Sequence, residues 1–391
     1  MPVHNRIAEF SADMAAWRQD LHAHPELGFE EHRTSAIVAD KLASWGIEVH
    51  RGIAGTGVVG VLRGTGSSSR SIGIRADMDA LAMPEFNEFA HRSRHPGKMH
   101  ACGHDGHTTM LLGAARYLAE TRNFDGTVVF IFQPAEEGGG GGRVMVEDGL
   151  FERFPCDSVY AAHNDPLLPA GTITAVPGPV MAAADMLEIA IRGRGGHAAR
   201  PHHTVDPVLI GSHIIMALQS IVARKVDPLD SAVVGITTFH AGSAKNVIPE
   251  TAELTGTVRT FRPQTQDEVE QLISRIVTST AALHGGSAEL RYERGYPPVV
   301  NSAEHTARAG RAAEKVVGAA LVKRDHPPTM GGEDFSFMLL RRPGCFVRIG
   351  QKGKDKGGVP LHNSSYDFND EIAPVGASFF STLVEQELPR G

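Results

Sequence analysis

From His100 to His107 the chain reads His-Ala-Cys-Gly-His-Asp-Gly-His, three histidines, a cysteine and an aspartate in one short stretch. A histidine on its own is more often a polar turn residue than a ligand, but this density favours a metal. Cys102 and His104 stand two apart, so in an extended loop both side chains can face one ion. Thiolate with imidazole suits zinc and its softer neighbours. His107 falls on the first turn of the helix that follows, and its role stays open.

A second cluster, Gln133-Pro134-Ala135-Glu136-Glu137, closes an apolar run. Adjacent carboxylates repel unless positive charge lies nearby, and a metal supplies it. A solvated acidic turn would not need an apolar strand to carry the pair inward. The glycines at 138–142 could cradle phosphate, but they lack the Lys-Ser/Thr ending of such loops, and the neighbouring carboxylates would repel the ligand. Backbone passing close to a metal or a substrate explains them better. Asp77 and Asp79 follow another apolar run, His163 closes a third, and His362 sits in a late loop. Together these residues offer a sulfur, several carboxylates and three imidazoles, enough to hold two ions with a shared ligand.

Strand ends must bring these groups together. Gly57–Leu62, Ser71–Arg75, Thr127–Gln133 and Ser158–His163 are short apolar runs bounded by turn residues, and read as buried strands. Helices are expected over Arg6–Ala23, Arg33–Trp45 and Asp105–Glu120. Alternation of this kind predicts an α/β domain with a mostly parallel central sheet, whose ligands bind at the carboxyl ends of the strands. The middle of the chain differs. Strands at Asp185–Arg192, Ala232–Phe239, Glu250–Phe261 and Ala288–Tyr292 alternate with helices at Asp206–Ala223 and Asp267–Leu283. The order βαββαβ is that of the ferredoxin-like split βαβ unit, so residues 185–296 are expected to form an inserted α+β domain. Residues 1–184 and 297–391 would then form the metal-bearing domain.

The 391 residues suffice for more than one core. A net charge of −7 without a basic stripe argues against nucleic acid as a partner. No signal peptide and no apolar stretch of spanning length is evident, so no membrane role is expected. Three cysteines cannot build a disulfide framework, which suggests a reducing, cytoplasmic setting.

The chain resembles the aminoacylase–carboxypeptidase amidohydrolases, and among them the branch of hippurate hydrolases and indole-acetyl-amino-acid hydrolases. The resemblance is carried by RQDLHAHPE at 18–26, RADMDAL at 75–81, KMHACGHDGHTTMLLGAA at 98–115 and QPAEEGGGG at 133–141. It continues through GRGGHAARPH at 193–202, NVIP at 246–249, GTVRTF at 256–261, MGGEDFSF at 330–337 and LHNSSYDFND at 361–370. It implies a zinc-peptidase-like catalytic domain with an inserted dimerisation or lid domain, and hydrolysis of the amide bond of a small N-acyl amino acid. Two divalent ions per chain are implied, zinc, manganese, cobalt or nickel, with Cys102 bridging them where other branches use aspartate. His104, Glu137, His163 and His362 would be the remaining ligands. Glu136 would be the general base towards a metal-activated bridging water. Other branches carry a metal-binding His-x-Asp where this chain has Arg75-Ala76-Asp77, so Asp79 is read as standing behind a ligand and orienting a histidine, and Asp77 is left open.

His197, preceded by glycines, is the expected oxyanion donor. In the resembling family this histidine crosses a subunit interface, which implies a homodimer or dimer-based oligomer. Arg259 would read the substrate's carboxylate, helped by Asn246, with Gly332 lining the acyl pocket. Three rivals stand beside this reading: a dipeptidase, carboxypeptidase or biosynthetic deacetylase of the same family, a cysteine hydrolase with Cys102 as nucleophile, and a non-catalytic metal-binding protein.

Overall fold

In the computed structural model, which describes residues 3–390, the apolar runs noted above become neighbouring strands. The chain begins with α1 (Asn5–Glu9), α2 (Ser11–Ala23) and α3 (His32–Ser44), followed by β1 (Glu48–Ile53), β2 (Gly57–Arg63) and β3 (Ser71–Asp77). Next come α4 (His104–Thr121), β4 (Thr127–Gln133), α5 (Gly141–Glu147) and β5 (Ser158–Pro169). One helix was expected over Arg6–Ala23; the chain instead breaks at Phe10, whose buried ring lies under the guanidinium groups of Arg6 and Arg116. β1 was not foreseen, because Glu-Val-His-Arg-Gly-Ile carries little apolar signal and forms a largely exposed edge.

Contacts divide the chain into two compact units. The first holds residues 1–180, 300–327 and 334–391. Its mixed sheet runs β1-β2-β4-β3-β5, then Gly344–Lys352, Ile173–Thr174 and Val322–Lys323. β4, β3, β5 and Gly344–Lys352 are mutually parallel neighbours, so their carboxyl ends share one edge. β4 is buried from Val128 onward, as expected of a parallel strand covered on both faces.

The second unit holds residues 181–299 and 328–333. Its elements are β6 (Ala183–Arg192), α6 (Pro207–Arg224), β7 (Ala232–Ala241), β8 (Thr251–Thr260), α7 (Pro263–Leu283) and β9 (Ser287–Tyr296). The antiparallel order β7-β8-β6-β9 is that of a split βαβ sheet. Along β8, Ala252, Leu254 and Val258 are buried among the unit's apolar residues while Arg259 lies on the other face. The division also counts 328–333, and so Gly332, with this unit, whereas the sequence reading left them with the flanking domain. α6 is long and apolar enough to span a bilayer by length and composition, against the expectation that no such stretch exists. Ile210, Ile214, Leu218 and Ile221 on its inner face are nevertheless buried in this unit's core.

Candidate metal centre

Each candidate ligand of the first unit reaches its place through a local backbone device. β3 ends at Asp77, two residues beyond the expected end, and Asp79 follows directly. Cys102 precedes α4, whose cap Gly103 has φ +95°; a Cβ there would fall 2.3 Å from Asn164 Oδ1 and 2.6 Å from the Tyr366 hydroxyl. Only glycine fits. β4 hands over through Ala135, left-handed at φ +52°, to Glu136 and Glu137. His163 lies within β5, which runs on to Pro169. His362 also has a left-handed φ, +58°, and its backbone N–H donates to Ala101 O at 2.8 Å, next to Cys102.

These devices bring six side chains together. Cys102, His104 and His163 form one group whose ligand atoms all lie within 4.8 Å of one another; Cys102, Glu137 and His362 form another, and His104, Glu136 and Glu137 a third. Cys102 Sγ is 3.4 Å from His163 Nε2, and Glu137 Oε1 is 3.1 Å from His362 Nε2 and 4.0 Å from His104 Nε2.

The hydrogen bonds behind these atoms orient two of the rings. His104 Nδ1–H donates to Asp79 Oδ1 at 3.1 Å and His163 Nδ1–H to the Asn164 carbonyl at 2.8 Å, so both rings turn an Nε2 lone pair towards the cluster. His104 Nε2 and Glu137 Oε1 are buried and form no well-aligned hydrogen bond among the described residues, the close approach of Glu137 Oε1 to His362 Nε2 notwithstanding. Buried polar atoms are rarely left unpaired, and an ion would satisfy both. The electrostatics agree. Burial, then the charge of Glu137, push the Cys102 thiol well above its ordinary value, so a thiolate here needs a cation beside it. Burial opposes protonation of His104, but Asp77 and Cys102 outweigh it and raise its pKa well above the usual value. A donor set that draws positive charge to this spot fits divalent metal ions.

Asp77 and His107, left open by the sequence, face each other instead. His107 Nδ1–H donates to Asp77 Oδ1 at 2.6 Å, and its Nε2 lies 3.0 Å from the Asn164 backbone N–H, so both ring nitrogens are engaged within the protein. Asp77 also accepts from Arg75 Nη1 at 2.7 Å. Arg75 reaches Gln133 Oε1 at 2.8 Å and Asp334 Oδ1 at 3.0 Å, which makes it an electrostatic tie behind the strand ends. Burial works to raise the Asp77 pKa, but Arg75 and the neighbouring histidines hold it well below the usual range. Asn164 and Arg18 were missed by the sequence reading. Asn164 had only its place after His163 to signal it. Arg18, fully buried, bonds Asp367 and Asp370 at 2.9 and 2.7 Å in the segment that follows His362.

The remaining candidates lie in the second unit. Gly196–His197 pairs antiparallel with Val247–Ile248, and Ala198 N–H donates to the Asn246 carbonyl at 3.0 Å, so His197 and Asn246 are neighbours. His197 Nδ1 accepts the Ala199 N–H at 3.0 Å, which leaves Nε2 as the protonated, donating nitrogen. Arg259 Nη1 lies 3.6 Å from where a Cβ on Gly332 would stand, and its Nε donates to Thr257 Oγ1 at 3.1 Å.

Residues 73–386 match the model of peptidase family M20/M25/M40. The chain belongs to that family. As a member of the M20 family it is a hydrolase, and its similarity to individual members extends over nearly its whole length. It is 40% identical over 377 residues to the hippurate hydrolase of Campylobacter jejuni, covering 96% of this chain and 97% of that one. It is also 40% identical over 385 residues to the IAA-amino acid hydrolase ILR1-like 4 of Arabidopsis thaliana, covering 96% and 86%. Among solved structures, the Bacillus subtilis YxeP protein, described as a dinuclear metal binding peptidase from the M20 family, superposes with a TM-score of 0.85 at 34% identity, covering 97% and 99%.

Proposed function

We propose that this M20 hydrolase uses two divalent ions to cleave the amide bond of N-acyl amino acids, releasing a carboxylic acid and a free amino acid. The observation that carries the reading is the pair of ligand groups sharing one thiol: Cys102 with His104 and His163, and Cys102 with Glu137 and His362. The relatives named for hippurate and for IAA-amino acids support the substrate class. When bound, the ions supply Lewis acidity, which lowers the pKa of water and polarises a carbonyl. Zinc, manganese, cobalt and nickel all suit the donors.

The chain's own groups divide the proton and charge work. Glu136, grouped with His104 and Glu137, accepts the proton of the attacking water and returns it to the departing nitrogen. His197 donates from Nε2 to the developing oxyanion, and the Ala199 N–H that fixes its tautomer supports that role. Arg259 binds the α-carboxylate, since a guanidinium pairs with carboxylate bidentately. Asn246 adds an amide donor, and Gly332 leaves room for the acyl group. The free thiols of Cys102, Cys156 and Cys345 suit a reducing, cytoplasmic setting.

A homodimer is part of the proposal. β7 is an edge of its sheet, and α6 leaves Leu209 and Met216 exposed, a combination that a second copy would cover.

Hydrolysis of hippurate and a panel of N-acetyl amino acids, measured as purified, after chelation, and after return of Mn²⁺ or Zn²⁺, tests the proposal. Activity lost with the metal and regained with it is the expected result. Activity that survives complete metal removal would overturn the two-ion reading.

A further inference from the structure

Glu31 stands at the entrance to α3 and is fully buried, distant along the sequence from the clusters at 100–107 and 133–137. Its Oε2 accepts from Thr56 Oγ1 at 2.5 Å, in the turn between β1 and β2. Its Oε1 accepts the backbone N–H of Ala135 at 2.8 Å. Ala135 is the left-handed residue between β4 and Glu136. A non-glycine residue keeps that conformation only where its surroundings over-determine it.

The surroundings here do so. A Cβ on Gly28 would fall 2.9 Å from the Ala135 Cβ, and one on Gly139 2.7 Å from it, so both neighbours close on the turn at glycine distance. Gly141 N–H donates to the Ala135 carbonyl at 3.0 Å. Two residues on, the Glu137 N–H donates to Asp79 Oδ2 at 2.9 Å. The backbone donors at 135 and 137 are thus each held by a buried carboxylate, and Glu136 lies between them.

We propose that Glu31 is a positioning residue of the hydrolase: it holds Ala135 in its left-handed turn and so sets where Glu136 and Glu137 point. The inference rests on the roles proposed above for those two glutamates. Glu31 itself touches neither substrate nor ion in this account.

The test compares Glu31→Gln, Glu31→Leu and the double variant Glu31→Leu/Ala135→Gly. For each, metal content per chain of the purified protein, melting temperature, and kcat and KM on hippurate are measured. Glutamine keeps an acceptor for the Ala135 N–H, and Thr56 can turn its hydroxyl to accept, so this variant should retain metal content and most of kcat. Leucine leaves the turn unheld. It should lower metal content and reduce kcat by about 10²-fold, the scale of a catalytic group displaced by roughly 1 Å. Glycine at 135 adopts the left-handed region without strain, so the double variant should recover part of both losses.

A folded Glu31→Leu protein with parental kcat and metal content would overturn the proposal, and so would losses that Ala135→Gly does not relieve. Should Glu31→Leu fail to fold, Glu31→Met takes its place, matching glutamine in size but without an acceptor for the Ala135 N–H: lower kcat and metal content than in Glu31→Gln are expected, and parental values would overturn the proposal. If the parent protein does not cleave hippurate, the substrate reading fails by itself, while metal content and its recovery by Ala135→Gly still judge Glu31.

Discussion

Asp79 and His104 are joined by a 3.1 Å bond from ring Nδ1–H to carboxylate Oδ1, and the carboxylate's other oxygen takes the Glu137 backbone N–H at 2.9 Å. One buried side chain thus orients two proposed ligands from different segments, a helix start and a strand end. Asp79→Asn keeps the size but has one acceptor oxygen for two donors. Metal affinity, measured by competition with a chelator, should fall by about 10–100-fold, the usual cost of losing a group that orients a ligand. Unchanged affinity would mean that His104 is held by its helix alone.

Glu136 and Glu137 are adjacent, yet the proposal gives them different work. Glu136→Gln should lower kcat by at least about 10²-fold, the smaller end of general-base catalysis, while metal content stays at the parental value. Loss of metal with the activity would make Glu136 a ligand and dismiss it as the base.

Cys102 separates the metal reading from a thiol nucleophile. Its thiol is pushed well above the ordinary value by burial and then by Glu137, the reverse of an activated nucleophile. Cys102→Asp, which supplies a carboxylate as other branches of the resembling family do, should keep metal and part of the activity, whereas Cys102→Ala should lose both. A dead but fully metal-loaded aspartate variant would favour the nucleophile.

Arg259 is expected to act on binding. Removing one partner of a charge-assisted hydrogen bond costs about 1.5–3 kcal/mol, so Arg259→Gln should raise KM by roughly 10–100-fold with kcat little changed. Steady-state kinetics on hippurate and on its carboxamide would show it. If parent and variant discriminate equally between the two compounds, Arg259 does not read the carboxylate.

Stability carries its own pH signature, centred on His22. Its Nδ1 lies 2.8 Å from Asp105 Oδ2 and its Nε2 3.1 Å from Glu85 Oε1. Burial lowers its pKa, but the two carboxylates outweigh burial and raise it to about 9. A folded pKa above the unfolded value of about 6.5 stabilises the fold fully below pH 6.5, and the contribution is lost as pH rises through 9. It is on the order of 3 kcal/mol, shared with Asp105 and Glu85 rather than added to theirs. Urea midpoints between about pH 6 and pH 9 should therefore fall more steeply for the parent than for His22→Gln. Equal slopes would show that His22 is neutral in the fold.

What could be read in the sequence follows from range. Cys102-x-His104 and Glu136-Glu137 are local pairs, and the apolar runs before the acidic positions announced strands whose ends could meet. The βαββαβ order was legible because α6, α7 and β8 each keep one clean apolar face. The bonding of Asp77 to His107 and of His107 to Asn164 was not, because which ring nitrogen meets which partner is decided by packing between β3, α4 and β5. Glu31 was invisible for the same reason: it reads as one more acidic residue in Phe-Glu-Glu-His, and only the fold sets it against Ala135. β1 and the break at Phe10 escaped because an exposed edge and a single ring contact leave almost no periodicity.

The proposed ligands come from four separated segments, and His362 is the last of them in sequence. During synthesis from the amino end, Cys102, His104, Glu136, Glu137 and His163 all precede His362, and the group of Cys102, Glu137 and His362 lacks its imidazole until that residue is added. A complete site appears only once translation has delivered the loop of His362 and the sheet edge has closed. On the two-ion proposal, the ion loaded depends on cell supply at that moment, and expression in media of different trace-metal content should change the metal content without changing a residue.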